Sequence, residues 1–172
     1  MKKLGIPAVI LISFLLIFIQ TAGSFYCKSF SGFSYAALII IDAFLLLTIL
    51  VNKNEFAGLK KAQLVSIILN IIVLIILSFT LIFKSLVVIK TTSAVNTNVI
   101  ILITLFTSII LLICSFSNKK FIYTSILSIP IIAGFSLFEN YHLTDCVLSI
   151  FFCIIIFIRS IILIKNSILD RQ

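Results

Sequence analysis

Charge is what this chain has least of. Charged residues make up 10% of its 172 positions and only five of them are acidic, against about 25% charged residues in a soluble globular domain. That deficit excludes a water-soluble fold, because the apolar stretches have no polar face to turn to solvent. A single histidine leaves any metal centre short of ligands. No CxxC occurs, which removes the basis for a quinone-linked thiol oxidoreductase. HExxH, GxSxG and glycine-rich phosphate loops are also missing, so no hydrolase or nucleotide-binding signature is present. With five glycines and two prolines, paired helix breaks of the kind that build many carriers are lacking. Only the fifth apolar segment is interrupted away from its ends, at Pro130 and Gly134, since Gly5 and Pro7 stand at the start of the first.

What remains is hydrocarbon: 62% hydrophobic residues and a mean hydropathy of +1.37. These runs are apolar at every position, whereas a membrane β-barrel needs alternation. The expected fold is therefore all-α: a polytopic integral membrane protein, one compact domain over residues 1–172. Six spans are predicted, over residues 4–22, 35–51, 62–83, 99–116, 121–138 and 143–164, each near the roughly 20 residues that cross a bilayer. Met-Lys-Lys followed by Leu4–Ile19 and Thr21-Ala22-Gly23-Ser24 has the outline of a cleaved signal peptide. A retained first helix is the simpler expectation, because that run is long for a signal and five more spans follow.

Cation placement sets the expected orientation. With the N-terminus in the cytoplasm, Lys2, Lys3, Lys53, Lys60, Lys61, Lys119, Lys120, Arg159, Lys165 and Arg171 fall on the inner side. Lys28, Lys84 and Lys90 fall outside. Both termini are then cytoplasmic, and the net charge of +8 reads as a topology signal plus attraction to anionic lipid headgroups. Nucleic acid is not an expected partner, since the cations are scattered and no aromatic-laced basic patch occurs. Tyr26, Tyr35 and Tyr141 are placed at the outer boundary and Tyr123 at the inner one. Abundant Ile, Phe and Lys with scarce Ala looks like the codon bias of an AT-rich bacterial genome, so the expected location is the bacterial cytoplasmic membrane. A faint repeat (Lys60-Lys61 before Ser66-Ile67-Ile68, Lys119-Lys120 before Ser125-Ile126-Leu127) is most simply a coincidence of this composition.

Within the membrane the polar residues are few. Asp42 interrupts LIIIDAFLLL, at an insertion cost of about 2.5–3.5 kcal/mol, which the eleven Leu, Ile, Val and Phe residues of its segment outweigh at roughly −5 kcal/mol in total. Asn70 should lie at the same depth on the neighbouring helix, roughly 12–14 Å in, and is the expected partner of Asp42. Arg159 can reach Asp42 if the second and sixth helices touch, but snorkelling toward the inner headgroups is the simpler expectation. Thr104, Thr107 and Ser108 form a stripe on the fourth helix, either as packing or as the wall of a pore. Asp42, Asn70, Thr104, Thr107, Ser108 and Arg159 thus make up a candidate midplane polar site.

On the outer side, Cys27 and Cys146 are candidates for a disulfide, and His142 lies one helical turn from Cys146, a spacing open to a thiol–imidazole pair. The leading functional expectation is a small multi-pass protein without catalytic residues, cofactor or metal, acting as a binding, assembly or accessory component beside another membrane protein. The alternative is a small-solute carrier, or the substrate-binding subunit of one, using Asp42 and Asn70. A thiol enzyme using His142 and Cys146 is a further alternative. Six helices in under 200 residues is similar in size to the membrane-embedded S components of energy-coupling-factor transporters. The docking AxxxA of their first helix is missing, since Ala8 is followed four residues later by Ile12. That resemblance is one of architecture alone.

Overall fold

The computed structural model describes residues 5–53, 72–73, 75–87, 95–116, 120–138 and 140–169. Among them there is no strand. Seven helices follow one another among the described residues: α1 (Ile6–Cys27), α2 (Phe30–Lys53), α3 (Ile75–Val87), α4 (Thr97–Ser115), α5 (Lys120–Ile126), α6 (Ile129–Leu137) and α7 (Tyr141–Leu169). Three stretches are long and apolar enough to cross a membrane: Pro7–Cys27, Thr97–Ser115 and Tyr141–Ile161. Phe30–Phe44, Ile75–Val87 and Phe121–Leu137 are shorter apolar stretches.

The boundaries differ from expectation where local geometry intervenes. The outer loop expected over Gly23–Ser34 is a two-residue turn, because α1 runs on to Cys27 and α2 starts at Phe30. Lys28 adopts the left-handed conformation at φ 55°. Its N–H donates to the Phe25 carbonyl at 3.2 Å and the Ser29 N–H to the Ser24 carbonyl at 3.0 Å, satisfying the carbonyls that a helix end otherwise leaves bare. Such a sharp reversal presses α1 onto α2, and Gly32 makes room: a Cβ there would collide with Ser24 and lie 2.8 Å from Ile100.

The expected fifth span is two helices. Pro130 has no N–H for the Ile126 carbonyl, and its ring would strike that carbonyl in a continuous helix. The Ser128 N–H turns instead to the Ser125 carbonyl, and the chain restarts with the Ile131 and Ile132 N–H groups on the Ser128 carbonyl. The third expected span, 62–83, lies largely outside the described residues; its described end continues to Val87.

Packing is inside-out relative to a water-soluble protein. Leu11, Phe18 and Leu102 are 70–74% exposed, while Ser13, Gln20, Asp42, Thr104, Thr107, Thr124 and Asp145 are buried. This arrangement suits a hydrocarbon solvent, in which polar groups must be satisfied internally. The core also contains Leu16, Leu38, Ile100, Phe121, Phe152 and Ile156. Tyr35, expected at the interface, is fully buried with its ring 6.3 Å from that of Phe152. The reason is that α2 begins five residues earlier than expected, which carries Tyr35 down into the bundle. Tyr26, Tyr123 and Tyr141 are exposed.

Helices α2 and α7 run parallel. Ser29 meets Asp145, Ser34 meets Ser149 and Asp42 meets Arg159, at near-constant separations of 116, 115 and 117 residues. Helices α1 and α4 run antiparallel: the Asn96 N–H bonds the Cys27 carbonyl, while Gln20 meets Thr104 and Thr107.

Candidate functional site

Asp42 sits mid-way along α2 on the face that meets α5 and α7. Arg159 of α7 donates from Nη1 to Asp42 Oδ1 at 3.1 Å. The same nitrogen donates to Thr124 Oγ1 at 3.2 Å, and Thr124 in turn donates to Asp42 Oδ2. The three side chains close a ring across three helices. Asp42 is almost fully buried, while Arg159 keeps 24% of its side chain exposed. The snorkelling expected of Arg159 is thereby corrected: its guanidinium turns inward to the carboxylate. Electrostatics explain why, since an isolated carboxylate in hydrocarbon costs several kcal/mol and a guanidinium at contact offsets much of that. Asn70, the expected partner, lies outside the described residues.

The hydroxyls of α4 do not join this ring. Thr107 donates to Gln20 Oε1 at 3.1 Å, and Gln20 Nε2 donates to Thr104 Oγ1 at 3.3 Å. This reciprocal clasp fastens α4 to α1. Ser108 donates to the Leu105 carbonyl of its own helix at 3.0 Å, and its carbonyl accepts from Ser125. The single midplane site expected from the sequence is therefore two separate clusters. Gln20 could have been found as the one amide in the first apolar run; Thr124 carried no signal beyond its polarity.

A third cluster escaped the sequence reading. Asp145 is 1% exposed and accepts four hydrogen bonds at the start of α2. Ser29 Oγ donates at 2.6 Å, Ser31 Oγ at 2.5 Å, the Phe30 N–H at 2.7 Å and the Ser31 N–H at 3.1 Å. The carboxylate of α7 thus caps α2 from a distance, meeting the bare N–H groups and the positive end of the helix dipole. Between this cap and the ion pair, Ser34 bonds Ser149 at 3.0 Å and lies 3.6 Å from the Cys153 sulfur.

The cysteine and histidine expectations fare differently. Cys27 and Cys146 are buried free thiols, so the candidate disulfide is not formed. His142 and Cys146 share a face of α7, yet His142 Nε2 is buried with no hydrogen-bond partner and so does not engage the thiol. No cluster of three metal-ligating side chains occurs among the described residues. A groove of about 440 Å³ opens between α2 and α3, lined by Phe30, Phe33, Val73, Ile76, Leu77, Thr80, Leu81 and Lys84. No residue of the Asp42 ring is on its wall. No family model matches the chain, and no curated protein matches it either.

Proposed function

We propose that this chain is a six-span protein of the bacterial cytoplasmic membrane, with both termini cytoplasmic, that serves as a binding, assembly or accessory component of a membrane complex. One observation carries this reading: the described side chains of the expected midplane polar site are engaged with protein partners. Asp42 is held by Arg159 and Thr124, Thr104 and Thr107 by Gln20, and Asp145 by the start of α2. Polar residues used in this way fasten helices, which leaves the outward faces to do the protein's work. The parallel course of α2 and α7 and the antiparallel course of α1 and α4 agree with six alternating spans. Cross-linking in native membranes tests the reading. A stoichiometric companion protein is expected, and recovery of the monomer alone overturns it.

The carrier reading has one observation in its favour. The break at Leu127-Ser128 falls one turn from Thr124, and discontinuous helices build the binding sites of many carriers. If the protein is a carrier, Asp42→Asn abolishes uptake while the folded protein persists; unchanged uptake removes Asp42 from any such mechanism. The thiol-enzyme reading gains nothing from the orphaned His142 nitrogen, and alkylation of Cys146 is expected to leave the protein's activity unchanged.

A further inference from the structure

The groove between α2 and α3 has two unlike ends. Its walls are hydrocarbon, built by Phe30 and Phe33 on one side and by Ile76, Leu77 and Leu81 on the other. Thr80 does not spoil this character, because its hydroxyl is donated to the Ile76 carbonyl at 2.8 Å and so is satisfied within the helix. Among the described residues of the wall the one charged side chain is Lys84, which is exposed. From Ile76 to Lys84 the groove follows α3 for about 12 Å at 1.5 Å per residue. One leaflet of a hydrocarbon core about 30 Å thick is about 15 Å deep, so the groove covers most of that depth. Lys28, also exposed, lies two residues before Phe30 and adds positive charge near the turn from α1 to α2.

We infer that this groove holds one acyl chain of an anionic phospholipid whose headgroup phosphate rests on Lys84. The inference relies on the membrane-spanning reading and goes beyond it by naming an occupant. An apolar slot that covers most of a leaflet, with Lys84 as the cation among its described walls, is complementary to a lipid with one chain in the slot and a negative head at the lysine. A neutral lipid fills the slot equally well but gains less from the cation.

The absence of tryptophan makes the test clean. Phe33→Trp places a single indole on the groove wall with little change in size. Leu112→Trp places one on the exposed face of α4, where Leu112 is 47% exposed. Each variant of the full chain is reconstituted into vesicles of phosphatidylcholine carrying a brominated probe lipid, either brominated phosphatidylglycerol or brominated phosphatidylcholine, and quenching is titrated. The Phe33→Trp indole is expected to prefer the anionic probe about fivefold, the equivalent of the ~1 kcal/mol that one Lys contributes near anionic lipid. Adding Lys84→Gln removes the preference and Lys84→Arg keeps it, while the Leu112→Trp indole shows none. Equal quenching by both probes at Phe33→Trp, or a preference that survives Lys84→Gln, overturns the lipid site. If Phe33→Trp goes unquenched while Leu112→Trp is quenched, a protein segment or a second copy fills the groove, and the lipid site again fails. Only loss of quenching at both positions also brings down the membrane reading.

Discussion

Among the described residues two carboxylates are buried, Asp42 and Asp145; they lie against the same pair of helices and are kept in the bundle by different means. Asp42 meets a formal positive charge, the guanidinium of Arg159, with Thr124 completing the ring. Asp145 meets four donors at the head of α2, and among the described residues no salt bridge includes it. Its negative charge is balanced by backbone N–H groups and two hydroxyls, the arrangement that lets helix N-termini bind anions. The contrast shows that a carboxylate in an apolar bundle needs short, directed donors more than it needs a cation. The two devices also differ in what they hold: the first joins three helices in mid-course, and the second fixes where one helix begins.

Removing each acid's support measures this difference, and the largest effect is expected at the cap. Asp145→Ala leaves two hydroxyls and two N–H groups without their acceptor, each worth about 1–3 kcal/mol if nothing replaces it. A loss of about 3–5 kcal/mol is expected, read as a lowered unfolding midpoint in detergent or on titration with SDS. Asp145→Asn keeps an acceptor oxygen but turns an NH₂ toward the donors, and should recover less than half of that loss. Full stability of Asp145→Asn would show that the charge itself is unimportant there.

The ion pair comes second. Arg159→Met takes the guanidinium from Asp42 and is expected to cost about 2–3 kcal/mol, toward the low side for a broken buried pair because Thr124 remains. Combining it with Asp42→Asn should return part of that loss, since a neutral amide no longer needs the cation. Thermal unfolding of the two single variants and the double variant gives the coupling. Strict additivity would mean that the pair, despite its 3.1 Å contact, contributes nothing as a pair.

How far these two acids were legible in the sequence follows from their surroundings. Asp42 stands out because everything near it is hydrocarbon. Equal depth points to Asn70 as its partner, and Arg159 comes within reach only if the second and sixth helices touch. Depth alone does not say which way a long side chain turns, so snorkelling is the simpler expectation for Arg159. Thr124 was invisible: the Pro130 break displaces α5 from the straight helix on which depth reasoning relies. Asp145 was hidden by polar neighbours. Glu139 to His142 reads as a loop with Asp145 just inside the next span, and only knowledge that α7 starts at Tyr141 and α2 at Phe30 turns Asp145 into a cap. A signal did exist, in Ser29 and Ser31 beside the turn on the same side of the membrane. The helical class was legible throughout, since it depends on composition; the two-residue turn at Lys28-Ser29 was not, since it depends on one left-handed residue.

Below the carboxylates come the neutral contacts. Gln20→Leu breaks the clasp between α1 and α4 and leaves two threonine hydroxyls that retain local options, Thr107 already bonding the Thr104 carbonyl at 2.9 Å. A loss of about 1 kcal/mol in the same unfolding measurement is expected, in line with neutral hydrogen bonds between membrane helices. A loss as large as that of Arg159→Met would erase the distinction between charged and neutral fasteners in this bundle.

The smallest effect belongs to Ser149, the middle rung between the two acids. Ser149→Ala removes its 3.0 Å bond to Ser34 and should cost about 0.6 kcal/mol, because Ser34 can still donate to the Phe30 carbonyl at 3.0 Å. Its value lies in the combinations. Ser149 is one turn from Asp145, about 6 Å along α7, whereas Ser34 is eight residues from Asp42, about 12 Å along α2. Changes beyond about 7–10 Å usually add and nearer ones couple. Ser149→Ala with Arg159→Met should therefore be additive within about 0.5 kcal/mol, while Ser149→Ala with Asp145→Ala should fall short of the sum. The reason for the shortfall is that the start of α2, once uncapped, no longer holds Ser34 against α7. If both combinations are additive, the cap fixes only its own turn; if both couple, α2 and α7 respond as one rigid seam from the turn to the ion pair, and the two acids are parts of a single device.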